Sequence, residues 1–270
     1  MTSYKYYFAG YPGIVNYILS SGNNFYFTCV DITVKGLEIV KKCDLIFLES
    51  YTSILGGCSH QELESFYGKE IIVSDRECVE SGAERIIESA GEKNVAFLVV
   101  GDPFGATTHQ DLFMRAMEKS VKVEVIHNTS IINAIASCGL WLYRFGEIIS
   151  IPFWDGEWRP TSFFDRIVDN FERGLHTLCL LDIKPPRFMS VNVAAQQLLD
   201  IVQSRDSKDI TSQTQCIAAV RVGTPSQRFL TCTLEQMKEV DMGGPLHSLV
   251  VIGKMNAVEE ESLKCFCETS

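Results

Sequence analysis

Val95-Ala-Phe-Leu-Val-Val-Gly-Asp-Pro-Phe-Gly-Ala-Thr-Thr-His109 is the stretch of sequence that decides the fold. Its first six residues are apolar, which predicts a strand buried on both faces, as in a parallel sheet. Gly101, Pro103 and Gly105 then predict a tight turn, and an amphipathic stretch from Asp111 predicts a helix. A strand, turn and helix in this order favour a ligand site at the carboxyl end of the strand, although the same residues also suit a purely structural turn.

Short apolar segments alternate with amphipathic segments through the first half of the chain. The pattern predicts strands over 45–48, 71–74, 95–100 and 121–126, and helices over 33–43, 78–90, 109–120 and 130–142. Alternation of this kind is typical of right-handed βαβ units in a largely parallel sheet. We therefore expect an α/β fold.

A second set of elements follows an aromatic, turn-rich connector over 154–160. It comprises predicted strands over 148–153, 177–182, 216–222 and 248–252, and predicted helices over 162–172, 192–203 and 234–240. We place a domain boundary near residue 150. The predicted fold class is α/β, with two α/β domains that have mostly parallel or mixed sheets. The domains are 31–150 and 151–270, preceded by an atypical N-terminal segment, 1–30.

Composition excludes several classes of protein. The 270 residues are 46% hydrophobic and 21% charged, which is typical of a soluble globular protein. A formal net charge of −10 argues against a general binder of nucleic acid or of anionic membranes. We expect no transmembrane segment and no signal peptide. The ten cysteines lie mostly in predicted core segments without zinc-ligand spacing, so we expect no metal site and a reducing, cytoplasmic location.

Several blocks between about residues 31 and 253 carry a resemblance to a known family. Besides the stretch from Val99 to His109, they are Asp31-Ile-Thr-Val-Lys-Gly36, Leu48-Glu-Ser-Tyr-Thr-Ser-Ile-Leu55, Ile126-His-Asn-Thr-Ser-Ile131, Thr177-Leu-Cys-Leu-Leu-Asp-Ile-Lys184, Pro185-Pro-Arg-Phe-Met-Ser-Val191 and Pro245-Leu-His-Ser-Leu249. These blocks resemble the diphthine synthases, the methyltransferases of diphthamide biosynthesis, which belong to the tetrapyrrole-methylase fold group.

The resemblance implies two α/β domains with S-adenosyl-L-methionine bound in the cleft between them, in a cytoplasmic homodimer. The implied partner is elongation factor 2, whose amino-carboxypropyl-modified histidine is the substrate. Methylation is expected on its amine and, in a eukaryotic member, also on its carboxylate to give a methyl ester. The substrate atom attacks the cofactor methyl directly, so the protein mainly aligns the reactants and excludes water.

The family's cofactor contacts fall on residues that lie at strand ends or helix starts. They are Asp102, Gly105, Ser130, Ile131, Leu181, Val222 and His247. Backbone N–H and C=O groups there can hydrogen-bond adenine, ribose and the methionine moiety. The Asp102 carboxylate is also expected to accept from the ammonium group or to favour the sulfonium.

The sequence leaves the general base unassigned. The candidates are His109, His127, His176 and His247. Each also has a structural interpretation, because a histidine beside a helix start or a strand often caps or packs. For His247 the resemblance adds the interpretation of a cofactor contact.

The chain departs from the family pattern at two places. Residues 24–30, directly before Asp31, lack the glycine-rich loop of the family. An alternative alignment takes Tyr7-Phe-Ala-Gly10-Tyr-Pro-Gly13 as the first strand and loop, with 14–30 as an insertion. We carry over no N-terminal cofactor residue from either alignment. At Lys184-Pro185 a polar segment of the family is missing.

The two departures leave several interpretations open. They indicate either errors in the gene model or a genuine, divergent protein with weakened catalysis. The functions that remain are a methyltransferase acting on elongation factor 2, a catalytically impaired protein that binds elongation factor 2, and another methyltransferase of the same fold group.

Overall fold

The computed structural model describes residues 5–10, 32–50, 59–105, 109–184 and 186–269. It divides into two compact units. The first is Met1–Ala134 with Gly223–Pro225, and the second is Ile135–Val222 with Ser226–Ser270. The domain boundary near residue 150 stays a prediction. No helix in the described part of the chain has the length and apolar character to cross a membrane.

The first unit contains a five-stranded sheet in which every pair of strands is parallel. Its strands are β1 (Lys5–Gly10), β2 (Leu45–Glu49), β3 (Ile71–Ser74), β4 (Val95–Val99) and β5 (Lys122–Ile126), in the order β3-β2-β4-β1-β5. The four strands that the apolar runs predicted are confirmed within one or two residues.

Strand β4 lies at the centre of two apolar layers. Ala96 and Leu98 belong to the hydrophobic cluster on one face, and Val95, Phe97 and Val99 to the cluster on the other. Successive strand residues point to opposite faces, so a strand buried on both sides must be apolar at every position. This confirms the interpretation of the run that begins at Val95.

The helices of the first unit connect these strands. They are α1 (Val34–Val40), α2 (His60–Tyr67), α3 (Ala83–Glu92), α4 (Gln110–Glu118) and α5 (Ile131–Ala134). The Thr33 hydroxyl caps α1 by accepting from Gly36 N, at 3.1 Å. Ser59 and Glu62 form a capping box at the start of α2, a helix that the sequence analysis did not predict.

The helix predicted over 130–142 is wrong. The α-helix ends at Ala134, and 3₁₀ turns follow over Ile135–Cys138 and Leu142–Arg144. Gly139 between the two turns has a left-handed φ of +102°, and a side chain there would meet Ser262. Helical propagation therefore ends at a position that only glycine fills without strain.

Strand β1 is an internal strand of the first sheet, between β4 and the edge strand β5. Gly10 pairs with Val99, and Ala9 pairs with Ile126. The strand that the alternative alignment placed at Tyr7 to Gly10 is thereby confirmed. The loop Tyr11 to Gly13 and the segment 14–31 lie outside the described residues. So do positions 51–55 of the block that begins at Leu48 and positions 106–108 of the block from Val99 to His109.

The second unit contains a six-stranded mixed sheet. Its strands are β6 (Ile149–Ile151), β7 (Thr177–Leu181), β10 (Gln215–Val220), β11 (Arg228–Thr233), β12 (His247–Val251) and β13 (Glu268–Thr269), in the order β13-β11-β10-β12-β7-β6. A separate hairpin pairs β8 (Ile183–Lys184) with β9 (Arg187–Phe188). Strand β12 runs antiparallel to both of its neighbours, β7 and β10.

The helices of the second unit are α6 (Ser162–Glu172), α7 (Val191–Arg205), α8 (Leu234–Met237) and α9 (Ala257–Phe266). The first three confirm predicted helices, whereas α9 and the strand β11 were not predicted. One hydrophobic cluster joins these elements, with Phe164 and Ile167 of α6 and Leu198 of α7 packed together with Cys179 and Ala218 of the sheet.

Candidate functional site

Asp102 joins the loops that follow two strands of the first sheet. Its Oδ1 accepts from Phe104 N at 2.8 Å, within the loop after β4. Its Oδ2 accepts from Asn128 N at 3.0 Å and lies 2.9 Å from Nδ1 of His127, both in the loop after β5. A carboxylate has about four acceptor positions, and the chain itself uses three of them. The carboxylate therefore acts chiefly as a clamp between the two loops.

Gly105 packs against Ser130, another residue of the candidate site. A Cβ at Gly105 would lie 2.6 Å from Ser130 Oγ and 2.7 Å from Ser130 Cβ, so no larger residue fits without a shift. Ser130 N donates to Asn133 Oδ1 at 2.8 Å, and Ser130 O accepts from Ala134 N at 2.9 Å. We expected Gly105 to admit a ligand, but the close approach that requires glycine is to Ser130.

The candidate residues of the second unit lie at one end of its sheet. Leu180 at the end of β7 pairs with Ser248 at the start of β12. Val220 at the end of β10 pairs with His247 at the same end of β12. Leu181 is the last residue of β7, and Val222 lies two residues beyond the end of β10. The structure thus gathers Leu181, Val222 and His247 at one sheet edge, as it gathers Asp102, Gly105, Ser130 and Ile131 within the first unit.

The His247 ring is fully engaged by its own unit. Nδ1 accepts from Val191 N at 3.2 Å. This assigns the proton to Nε2, which lies 3.2 Å from the Gly243 carbonyl oxygen and 3.1 Å from that of Gly244. Burial lowers the pKa of His247 from its ordinary value. With both nitrogens occupied, the ring orients the chain around it and is a poor proton acceptor.

His176 and His109 are also buried. His176 Nδ1 accepts from Gly253 N at 3.0 Å, and its Nε2 lies 3.1 Å from Glu259 Oε1, so its role is structural. Burial lowers the pKa of His109 to about 4. The His109 ring packs edge-on against Phe97, with the ring centroids 5.4 Å apart.

His127 is the exposed member of the four candidate histidines. Its side chain is 67% exposed, while Nδ1 is held by Asp102. The ring of Phe104 stands at 66° to it, with the centroids 6.1 Å apart. A carboxylate on one ring nitrogen orients the imidazole and leaves the other nitrogen available for proton transfer.

The residues present fit S-adenosyl-L-methionine at the adenosine and less clearly at the methionine. The pairing of β12 with β7 ends at Leu180, and its pairing with β10 ends at Val220. Leu181 and Val222 lie just beyond these two pairs and have buried apolar side chains, although Leu181 still pairs with Ile151 of β6. Such positions suit a flat base and its polar edge. The Asp102 carboxylate has little capacity left for an ammonium group.

Comparison with known proteins agrees with this fold. A model of the family described as Tetrapyrrole (Corrin/Porphyrin) Methylases matches residues 30–238, so the chain belongs to this family of methyltransferases. Within it, the chain is similar to the Diphthine methyl ester synthase of Homo sapiens, with 49% identity over 258 residues that cover 87% of this chain and 90% of that protein. It is equally similar to Diphthine methyl ester synthase 2 of Candida albicans, with 49% identity over 88% of this chain and 86% of the relative.

Solved structures show the same likeness. A putative diphthine synthase from Entamoeba histolytica superposes with a TM-score of 0.87 at 38% identity, covering 99% of each chain. A second diphthine synthase structure gives a TM-score of 0.84 at 30% identity, covering 98% of this chain and 97% of the other. The predicted fold class is therefore confirmed, together with the resemblance that the sequence blocks carried.

Proposed function

We propose that this protein uses S-adenosyl-L-methionine to methylate the amino-carboxypropyl-modified histidine of elongation factor 2 in diphthamide biosynthesis. The products are the methylated amine and its carboxylate methyl ester. The observation that carries this proposal is the similarity, at 49% identity over most of both chains, to diphthine methyl ester synthases. The convergence of the candidate residues at two strand ends adds support from the chain's own geometry.

The chain's residues hold and shield the reactants. S-adenosyl-L-methionine, when bound, supplies an electrophilic methyl group on a positively charged sulfur. Within the second unit, Leu181 and Val222 are buried apolar residues, and apolar surroundings of this kind would exclude water from the adenosine. Asp102 keeps the two loops of the first unit in fixed positions, which limits the loss of entropy on reaching the reactive geometry.

The two methyl acceptors differ in their need for a base. A carboxylate oxygen attacks without losing a proton, whereas an ammonium group must first become neutral. We assign proton uptake from the amine to His127, because its ring is exposed and is oriented by Asp102. The buried His109, His176 and His247 serve as structural residues.

Binding and transfer can be measured separately. The first experiment titrates the chain with S-adenosyl-L-methionine by calorimetry. The second follows labelled methyl groups into elongation factor 2 that carries the amino-carboxypropyl histidine. Saturable binding and transfer are expected. Binding without transfer would instead favour the catalytically impaired protein, and transfer to a tetrapyrrole or an RNA ribose would favour another methyltransferase of the fold group.

The assembly and location are also part of the proposal. We expect a homodimer, which sedimentation equilibrium of the purified chain tests, with a monomer at all concentrations as the contrary result. A cytoplasmic location follows from the substrate, since elongation factor 2 works on cytoplasmic ribosomes. Fluorescence microscopy of the tagged chain checks it.

A further inference from the structure

Arg221 makes an unusual set of contacts directly after β10. Its φ is +49°, in the left-handed region that a residue with a Cβ rarely adopts. Its Nε donates to both O and Oγ of Ser226, at 3.2 Å each. Nη1 donates to Met242 O at 2.9 Å and also to Gly244 O, while its backbone N–H donates to Leu246 O at 2.9 Å.

These contacts join two loops of the second unit. One loop follows β10 and carries Val222, and the other precedes β12 and leads directly into His247, the first residue of that strand. The carbonyl oxygen of Gly244 accepts hydrogen bonds from both the Arg221 guanidinium and the His247 ring, so the two side chains stabilise the same turn. A strained backbone persists only where its surroundings fix it, and here the strained residue is the one that makes the connections.

We infer that Arg221 is a positioning residue for the methyl donor, which fixes the separation between the loop that carries Val222 and the loop that leads into His247. The inference rests on the proposed function, because that function makes these two loops part of the donor site. A guanidinium presents five donors in a planar fork. A lysine ammonium is a single centre on a flexible stem and cannot reach Ser226 and Met242 in the same geometry.

The test compares Arg221→Lys with a matched control, Arg144→Lys. Arg144 also donates to backbone carbonyls, those of Gly174 at 3.2 Å and Lys254 at 2.7 Å. These carbonyls lie at the opposite end of β7 and β12 from Leu181 and His247. Both changes keep the positive charge and remove a guanidinium that donates to two backbone carbonyls, so both should lower the melting temperature. Calorimetric titration with S-adenosyl-L-methionine is then run at a temperature where all proteins are folded.

We expect Arg221→Lys to bind the donor at least about tenfold more weakly, because small displacements of positioning groups have large effects. In the transfer assay the KM for the donor should rise by a similar factor, while kcat at saturating donor stays near the wild-type value. Arg144→Lys should bind as wild type does. Ser226→Ala, which removes one of the acceptors of Arg221, should give a smaller weakening in the same direction.

Equal donor affinity in Arg221→Lys and the wild type would overturn the inference. Equal weakening in Arg221→Lys and Arg144→Lys would also overturn it, because the effect would then follow stability alone. Failure of the proposed function gives a different result, since the wild-type chain itself would then not bind S-adenosyl-L-methionine.

Discussion

The two candidate regions are held together by opposite chemistry. In the first unit an acceptor, the Asp102 carboxylate, gathers backbone N–H groups of Phe104 and Asn128. In the second unit two donors, the guanidinium of Arg221 and the ring of His247, gather backbone carbonyls. The loops after β4 and β5 lead towards helix starts, where backbone N–H groups lack partners within the helix. The turn before β12 instead offers the carbonyl oxygens of Met242, Gly243 and Gly244. Each region is therefore sensitive to loss of a different kind of side chain.

The first region should be broken most completely by Asp102→Ala. The change leaves the N–H groups of Phe104 and Asn128 without their acceptor, and we expect a loss of about 4 kcal/mol in the free energy of unfolding. Binding of the methyl donor, S-adenosyl-L-methionine, should be lost together with this stability. Urea unfolding and calorimetric titration measure the two effects. Asp102→Asn, which keeps one acceptor oxygen, should lose less of both, and wild-type donor affinity in Asp102→Ala would contradict the assignment of the clamp.

The variant His127→Asn separates two roles of this residue: the hydrogen bond to Asp102, and the uptake of a proton from the substrate amine. The amide nitrogen of asparagine can replace Nδ1 as the donor to Asp102, but no group replaces Nε2. Amine methylation should fall about 100-fold, the lower range for loss of an acid–base group, while ester formation and donor affinity stay near wild type. Mild alkali releases methyl from esters and not from amines, so it sorts the labelled products. An equal fall in both products would exclude His127 as the proton acceptor.

A variant at Gly105 measures how closely Gly105 and Ser130 pack in the first region. Gly105→Ala should cost about 2 kcal/mol of stability, because the new methyl group overlaps the Ser130 side chain. Ser130→Gly in the same chain removes that side chain and should restore part of the loss. Chemical unfolding of both single variants and the double variant gives the coupling. Strictly additive effects would show that the two residues do not compete for space.

The buried histidines give the smallest expected effect, a pH dependence of stability. His109 has its pKa lowered from 6.5 to about 4 in the folded chain. Between these values the unfolded state binds the proton and the folded state does not, so stability falls as pH falls through this window. From pH 6 to pH 5 the contribution of His109 is about 1 kcal/mol. Urea unfolding of His109→Gln at both pH values should show a slope reduced by that amount, and an unchanged slope would be the contrary result.

The sequence predicted most of the first sheet because β2, β3 and β4 are mainly apolar runs and β5 alternates apolar with charged residues. It missed β11 (Arg228–Thr233), whose sequence mixes Arg and three hydroxyl or thiol residues with two apolar ones. It missed α9 (Ala257–Phe266) because three consecutive glutamates interrupt the apolar period. Both elements are stabilised by tertiary contacts, which local patterns do not contain.

The sequence predicted where the candidate site residues lie in the fold better than it predicted which groups their side chains contact. A residue after a buried strand can be placed at the sheet edge from the sequence alone, as Asp102 and Val222 were. The contact between Asp102 and His127 depends on β1 lying between β4 and β5. A single sequence does not contain that strand order, and so it assigned the carboxylate to a ligand. The proline and glycines near Gly244 were likewise no guide to the contacts of Arg221.

The position of β1 between β4 and β5 has a consequence for how the chain folds. Tyr6 pairs with Val95 and Lys5 with Lys122, so the earliest strand in chain order must wait for two of the latest strands of its sheet. Pairings between residues so distant in sequence slow folding, because loop closure precedes any gain from contact. During synthesis on the ribosome, one edge of β1 stays unpaired until Val99 has emerged and the other until Ile126 has emerged. This interval is when chaperones would bind the nascent chain.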